Sequence, residues 1–421
     1  MIAKFLACWR LLGPGLLMAG AAIGVSHLVQ STRAGASFGW QLLGVVLLIN
    51  LLKYPFFEYG HRFTAATGRN LLEGYRAMGV FPIWLFSVMN TVAAVISVAA
   101  VTIVTAALAE NLSGLSLGLN LWSGILFVVC GTILVAGRYR LLDRIIKAMM
   151  VVLVVSTVVA FGAALVNGPA GNPEVAVTQV FTQEGFIATL PFLIALMGWM
   201  PGPVEISAWQ GLWIQARERQ TGQRPSLREA SIDFRVGYGL CVVLALLFLS
   251  LGALVMHRTG EDFAAGGAAF AGQVIQLYTT NLGDWSWPII STAALMTMFS
   301  TTLTLVDAYP RSLAECTRLI APRLGGKVPF AALHTGWVVL VCALALVLIT
   351  GFIEDFKGLV DLATSVAFVA GTIFGSLTFW VLCSKQTPRE MQPGPVLRTL
   401  SFAGIAAFAV FSVLFLWQLL G

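Results

Sequence analysis

Apolar residues occur along this chain in runs of about twenty, separated by short polar segments. A helix of roughly 20 apolar residues can cross the hydrocarbon core of a bilayer, which is about 30 Å thick. The pattern predicts eleven transmembrane helices, at about 9–32, 40–60, 81–110, 118–136, 146–167, 186–213, 236–257, 286–310, 331–351, 361–383 and 400–420. We therefore expect an all-α integral membrane protein that forms one polytopic domain over residues 1–421.

Two of these runs are interrupted near their midpoints by glycine and proline, from Gly20 to Gly24 and from Gly198 to Pro203. Unwound backbone is tolerated at membrane depth only where it lines a cavity or is buried in protein. Broken helices in matching positions of two halves are typical of the substrate site of inverted-repeat transporters. The pattern predicts two five-helix repeats, about 9–167 and 186–384, and an extra helix at 400–420, although a proline kink would explain either break alone.

The composition excludes an ordinary soluble protein, because 10% of the residues are charged and the mean hydropathy is +0.87. A cytoplasmic N-terminus places 22 of the 25 Lys and Arg residues on the cytoplasmic side, including those of predicted loops at 53–76 and 215–235. It leaves Arg33, Arg258 and Lys357 outside. This asymmetry follows the positive-inside rule and predicts a C-terminus outside the cell membrane. The net charge of +6 therefore reflects topology, and we expect no nucleic-acid partner.

Ionisable side chains within the predicted spans are functional candidates, because their burial in lipid is costly. His27 follows the first break and Glu205 follows the second. Glu205 would also complement the dipole at the start of a half-helix, and His27 could simply bond to a carbonyl. Other charges four residues apart are expected to pair near helix ends. These pairs are Glu58 with Arg62, Asp143 with Lys147, and Asp307 with Arg311.

Motifs for catalysis are missing from the sequence, which has no glycine-rich phosphate loop, no His-Glu-x-x-His and no nucleophile elbow. The six cysteines are scattered singly without metal-ligand spacing, and most are expected to be small buried apolar residues. We therefore expect neither an enzyme nor a cofactor. Gly13-Pro14 breaks the first apolar run early and no cleavage site follows, so we expect this run to be retained as the first helix.

Short motifs beside the two breaks resemble those of the NRAMP divalent-metal transporter family. They are Gly13-Pro14-Gly15, Ser31-Thr32-Arg33-Ala34-Gly35-Ala36, Met200-Pro201 and Ile232-Asp233. The resemblance implies the LeuT-type fold, with helices 1–5 and 6–10 as inverted repeats, helices 1 and 6 broken, and helix 11 added. It also implies alternating access, with a small solute or ion bound midway through the bilayer.

The chain departs from the family's pattern at the residues that bind metal. The family's helix 1 motif, Asp-Pro-Gly-Asn, aligns with residues 24–27, so Gly24 and His27 stand where the family has its Asp and Asn ligands. The helix 6 motif, Met-Pro-His-Asn, keeps its methionine as Met200 but has Gly202 in place of its histidine. The loss of the central carboxylate counts against ordinary metal transport, because a divalent cation needs donors that replace its hydration.

The family's helix 3 acids fall on Val98 and Val101, which weakens the expectation of proton coupling. The residues expected to line the site are Ala21, Gly24, His27, Met197, Met200, Gly202 and Glu205, of which His27, Met200 and Glu205 are the candidate metal ligands.

Divalent metal transport is the family default. The alternative is a related carrier of a small anion, such as bicarbonate or a carboxylate, or of an amino acid, without the family's proton coupling. From a different class, the chain could be a membrane channel or a non-transporting scaffold. A channel would show currents far above the turnover of a carrier, and a scaffold would show no stabilisation by a solute.

Overall fold

The computed structural model of the protein describes residues 12–172, 174–175, 179–259, 272–273, 275–276, 279, 283–351 and 356–420. The first half contains α1 (Pro14–Ala22), α2 (Thr32–Phe38), α3 (Leu43–Thr67), α4 (Leu71–Met78), α5 (Val80–Ser113) and α6 (Leu119–Asn167). The second half contains α7 (Gln183–Trp199), α8 (Ile206–Thr221), α9 (Leu227–Val255), α10 (Trp287–Ile320), α11 (Pro322–Gly325), α12 (Phe330–Gly351), α13 (Phe356–Cys383) and α14 (Pro395–Leu420). A π-helical turn, Ser26–Ser31, leads into α2. The described ranges contain no strand, and the all-α prediction is confirmed.

Nine apolar segments in the described ranges are long enough to cross a membrane, and the broken helices α1–α2 and α7–α8 accompany them. Two of the nine, Leu119–Ala136 and Tyr139–Asn167, belong to the single helical element α6. The two spans predicted at 118–136 and 146–167 are therefore both present, and they are joined by helix and not by a loop. Apart from Gly137, the residues between them are compatible with helix, and no proline interrupts them.

The predicted polar loops on one side of the membrane are shorter in the structure. Helix α3 continues to Thr67, so Lys53, which the charge count assigned to a loop at 53–76, lies within a helix. The predicted solvated linker at 215–235 is also largely helical, because α8 extends to Thr221 and α9 begins at Leu227. Ser226 caps α9 in a capping box, which explains its early start. The predicted outside loop at 258–285 lies largely beyond the described residues.

Helix α9 packs along both halves of the first broken helix, and small residues allow the close approach. A Cβ on Gly252 would lie 2.2 Å from the carbonyl oxygen of Thr32, and a Cβ on Gly35 would lie 1.9 Å from that of Leu249. Elsewhere α5 packs on α10, α3 on α8, and α7 on α13. Every residue of α1 is buried, so this part of the first broken helix lies in the interior of the bundle.

Candidate substrate site

The first break lies between α1 and the π-helical turn, where residues 23–25 are not part of a helix that continues α1. The hydroxyl oxygen of Thr301, on α10, lies 2.9 Å from the carbonyl oxygen of Gly20 and 3.2 Å from that of Ile23. Carbonyls released by a break inside the membrane need a donor from elsewhere in the protein. Thr301 supplies that donor from the second half of the chain.

The two residues at the predicted ligand positions of helix 1 do not face a common space. A Cβ on Gly24 would lie 2.5 Å from the hydroxyl oxygen of Thr301, so the glycine lets α10 approach the break. His27 is fully buried, and its Nε2 donates to the carbonyl of Cys241 at 2.9 Å. Its Nδ1 lies 2.6 Å from the hydroxyl oxygen of Ser26. In this conformation His27 links the first break to α9, and both of its ring nitrogens are occupied.

The second break separates α7, which ends at Trp199, from α8, which begins at Ile206. Two prolines within it lack the N–H that a continuing helix would need. The carbonyl oxygens of Gly198 and Gly202 lie 2.6 Å and 3.0 Å from Nζ of Lys53. This buried lysine, from the middle of α3, donates to two carbonyls at the break.

Glu205 stands immediately before α8 and is fully buried. Its Oε1 accepts a hydrogen bond of 2.8 Å from the hydroxyl of Tyr309, on α10. The same phenol oxygen lies 3.2 Å from the hydroxyl oxygen of Ser97, on α5. No hydrogen-bond partner for Oε2 of Glu205 is present among the described residues. Half of this carboxylate is therefore anchored, and the other half is buried without a donor.

A small cavity lies between the two breaks, bounded by the first broken helix, α5, the second break and α10. Its lining includes Ala21, Ser26, Ser97, Val101, Trp199, Pro203, Thr301 and Tyr309. Three hydroxyl-bearing side chains and a phenol thus face a space that is otherwise apolar or aromatic. The cavity is about 10 Å³, close to the smallest space that holds one water molecule, so a larger solute would need the two breaks to move apart.

The predicted site residues are brought to the two breaks but not to one cavity. Ala21 lines the cavity, and Glu205 reaches it through Tyr309. Gly202 lies where the breaks meet, since its added Cβ would be 3.2 Å from the Cβ of Ala22. Met197 and Met200 instead belong to the buried hydrophobic cluster that contains side chains of α3 and α13. The described residues contain no group of three or more His, Cys, Asp or Glu side chains that could hold a metal ion.

Polar contacts hold the two ends of the first broken helix. At the start of α1, the N–H groups of Gly13 and Gly15 donate to the carboxylate of Asp233 at 2.9 Å and 2.8 Å. At the other end, Arg33 on α2 pairs with Asp361 on α13 at 2.8 Å. Both ends of the first broken helix are thus held to neighbouring helices, to α9 at its start and to α13 at its end.

Comparison with known proteins shows the family to which this chain belongs. The sequence model of the natural resistance-associated macrophage protein-like (Nramp) family matches residues 15–418. The chain belongs to the Nramp family. An uncharacterised protein of Pasteurella multocida is 36% identical over 412 residues, covering 97% of this chain and 92% of its relative.

Two further similar proteins, one found by sequence and one by structure, carry names that state what they transport. The divalent metal cation transporter MntH of Listeria innocua is 24% identical over 277 residues, covering 63% of this chain and 59% of that protein. The crystal structure of the Eremococcus coleocola manganese transporter aligns with a TM-score of 0.73 at 14% identity, covering 98% of this chain and 87% of that one. The protein is thus a multi-pass membrane transporter of the Nramp family, and the predictions of family, LeuT-type fold and transport are confirmed.

Sequence reasoning missed two residues that shape the site of this Nramp protein, Lys53 and Tyr309, and it took Thr301 only as a hydroxyl that can hydrogen-bond between helices. Lys53 carried a usable signal, because a lysine within an apolar run is a functional candidate by default. Tyr309 and Thr301 gave little signal in the sequence, because hydroxyls on membrane helices are common and their contacts depend on helix packing. The three predicted ion pairs are confirmed, and they are Glu58–Arg62, Asp143–Lys147 at 2.7 Å and Asp307–Arg311 at 2.5 Å.

Proposed function

We propose that this Nramp protein is an alternating-access carrier of a divalent cation, with Glu205 as the anionic group at the site. The observation that carries the proposal is Oε2 of Glu205, a buried carboxylate oxygen with no partner among the described residues. A buried acceptor left without a partner is costly, and a bound cation would relieve that cost. The naming of relatives as divalent-metal and manganese transporters supports the same class of cargo.

The cavity lining supplies further oxygen donors for such a cation. Mn²⁺ and Mg²⁺ accept carboxylate, carbonyl, hydroxyl and water oxygens. The hydroxyls of Ser97 and Thr301 line the cavity, and Tyr309 joins it to Glu205. His27 and Met200, which sequence reasoning proposed as further ligands, would have to leave their present surroundings to take part. We also propose, from the distribution of Lys and Arg, that the N-terminus is cytoplasmic. Membership of a transporter family supports the further proposal that the chain acts as a carrier and not as an enzyme.

A small anion or organic solute is the second candidate, and the cavity lining is the observation that favours it. Val101 lines the cavity at a position where the family has an acidic residue, and Gly24 is packed against Thr301 where the family has its Asp. The lining side chains are hydroxyl-bearing, aromatic or apolar, and none of those described is ionised. Such a lining would suit a polar solute of low charge.

Uptake by the purified protein in proteoliposomes separates the two candidates. Saturable uptake of Mn²⁺ or Mg²⁺, measured with and without a pH gradient, is the expected result. Glu205→Gln should raise the half-saturating metal concentration by at least about tenfold, since each 1.4 kcal/mol of lost binding is a factor of ten. The matched control is Glu218→Gln, a partly exposed residue of the same half-helix that pairs with Arg224.

Two outcomes would contradict the proposal. Folded wild-type protein that takes up neither metal would exclude both as cargo, and radiolabelled bicarbonate, carboxylates and amino acids would then be tested. Equal half-saturating concentrations for wild type and Glu205→Gln would show that the carboxylate does not touch the cation.

A further inference from the structure

Lys53 is an unusual residue for the interior of a membrane protein. It lies near the middle of α3, its side chain is 1% exposed, and it is among the largest fully buried side chains of the chain. No carboxylate among the described residues forms an ion pair with it within 4.0 Å. Burial of an unpaired ammonium is strongly unfavourable, so its surroundings must replace both water and a counter-ion.

Backbone carbonyls supply that replacement. In an uninterrupted helix the carbonyl of Gly198 would accept from the N–H four residues later, but α7 ends at Trp199. The oxygens of Gly198 and Gly202 instead accept from Nζ of Lys53 at 2.6 Å and 3.0 Å. The end of a half-helix also carries partial negative charge, which favours a cation at this position.

Two further groups compensate the charge of Lys53. Glu205, on the other side of the break, interacts with it electrostatically without direct contact. The ring of Phe408, on α14, has its centre 5.9 Å from Nζ, which is within the range of a cation–π interaction. The ammonium is therefore surrounded by carbonyl oxygens, an aromatic face and a nearby carboxylate, which together resemble the surroundings of a bound cation.

Carbonyls of unwound helices bind the inorganic coupling cations of many transporters with broken helices. We propose that the ammonium of Lys53 is a tethered cation that occupies the carbonyl site of the second break. In this protein the site is thus filled by a side chain, and a free monovalent cation has no place there. The proposal deepens the proposed function, because it assigns one positive charge at the break to the protein and leaves Glu205 to face the cargo.

Chemical rescue tests this assignment without any transport measurement. Lys53→Ala vacates the site and should lower the melting temperature in detergent by roughly 5–10 °C, as expected when a buried interaction is lost. Propylammonium, which matches the deleted atoms, should restore at least half of that loss. Tetramethylammonium, which has no N–H donor, should not. Wild type and Lys147→Ala, which removes the partly exposed lysine paired with Asp143, should not respond to propylammonium.

A second pair of variants keeps the test decisive if Lys53→Ala does not fold. Lys53→Arg retains the charge and the donors, whereas Lys53→Met retains only the length, so the arginine variant should be the more stable of the two. Equal or greater stability of Lys53→Met would overturn the proposal, and so would an amine effect of equal size on Lys147→Ala. Because these readouts are thermal, they stand or fall independently of metal uptake.

Discussion

Asp233 offers the sharpest test of how the first broken helix moves. Its carboxylate accepts hydrogen bonds from the N–H groups of Gly13 and Gly15 at 2.9 Å and 2.8 Å, at the start of α1. A Cβ on Gly15 would lie 2.2 Å from the backbone oxygen of Asp233, so the two segments are in close contact. Movement of α1 away from α9 would break both bonds, and we expect Asp233→Asn to make that movement easier.

The size of the effect follows from the bonds that are lost. A hydrogen bond to a charged group contributes about 1.5–3 kcal/mol, and a neutral one contributes about 1 kcal/mol. The asparagine oxygen can keep at most one neutral bond, so closure should be weakened by about 2–5 kcal/mol. The lower figure corresponds to a roughly 30-fold larger population of the open state.

Alkylation of a cysteine in the cavity measures this population. Ala21→Cys places a thiol in the lining, and the half-buried Cys383 is replaced by serine to lower the background. A membrane-impermeant maleimide is added on the side where α1 begins. The modification rate should rise about 30-fold or more in Asp233→Asn. Glu218→Gln, which removes a carboxylate paired with Arg224 away from this contact, is the control. An unchanged rate in folded Asp233→Asn would refute the reasoning.

Two other predictions use the same bundle. Arg33→Gln removes the contact with Asp361 at the opposite end of the first broken helix. Alkylation of Ala21→Cys from that side should then rise only about two- to fivefold, because Asp361 is 36% exposed and an exposed ion pair contributes little. An unchanged alkylation rate would contradict the idea that the Arg33–Asp361 pair helps to close the cavity. Gly252→Ala should lower the free energy of unfolding by about 1–3 kcal/mol through its collision with Thr32. Gly239→Ala, in the same helix but with open space around it, should not, and equal thermal denaturation of both variants would contradict the packing argument.

The two breaks could be predicted because glycine and proline leave a local signal. Residues 198–203 contain two glycines and two prolines, and the helix does end there, at Trp199. The lengths of the loops were harder to predict, because polar segments were taken as solvent-exposed loops although they are largely helical. Asp233 was placed in a solvated linker, but it is buried against Gly13 and Gly15, whose N–H groups replace its hydration.

The roles of side chains at the breaks depended on packing that the sequence does not encode locally. His27 was proposed to face the substrate, yet its ring is directed to the carbonyl of Cys241, more than two hundred residues away in sequence. Glu205 was proposed on its position alone, and its partner Tyr309 lies 104 residues later in the sequence, where no local pattern points to it. Whether either residue binds cargo stays a prediction that the mutations above address.

Each break receives its donor from the opposite half of the chain, and this has a consequence for biosynthesis. The carbonyl of Gly20 is bonded by a residue 281 positions later, Thr301. Translation at about 5–20 residues per second implies an interval of roughly 15–55 s between the insertion of the two residues. During that time the first helix has a break whose permanent donor does not yet exist. Neither half can complete its own backbone hydrogen bonding at the break, so the two repeats depend on each other from the moment of insertion.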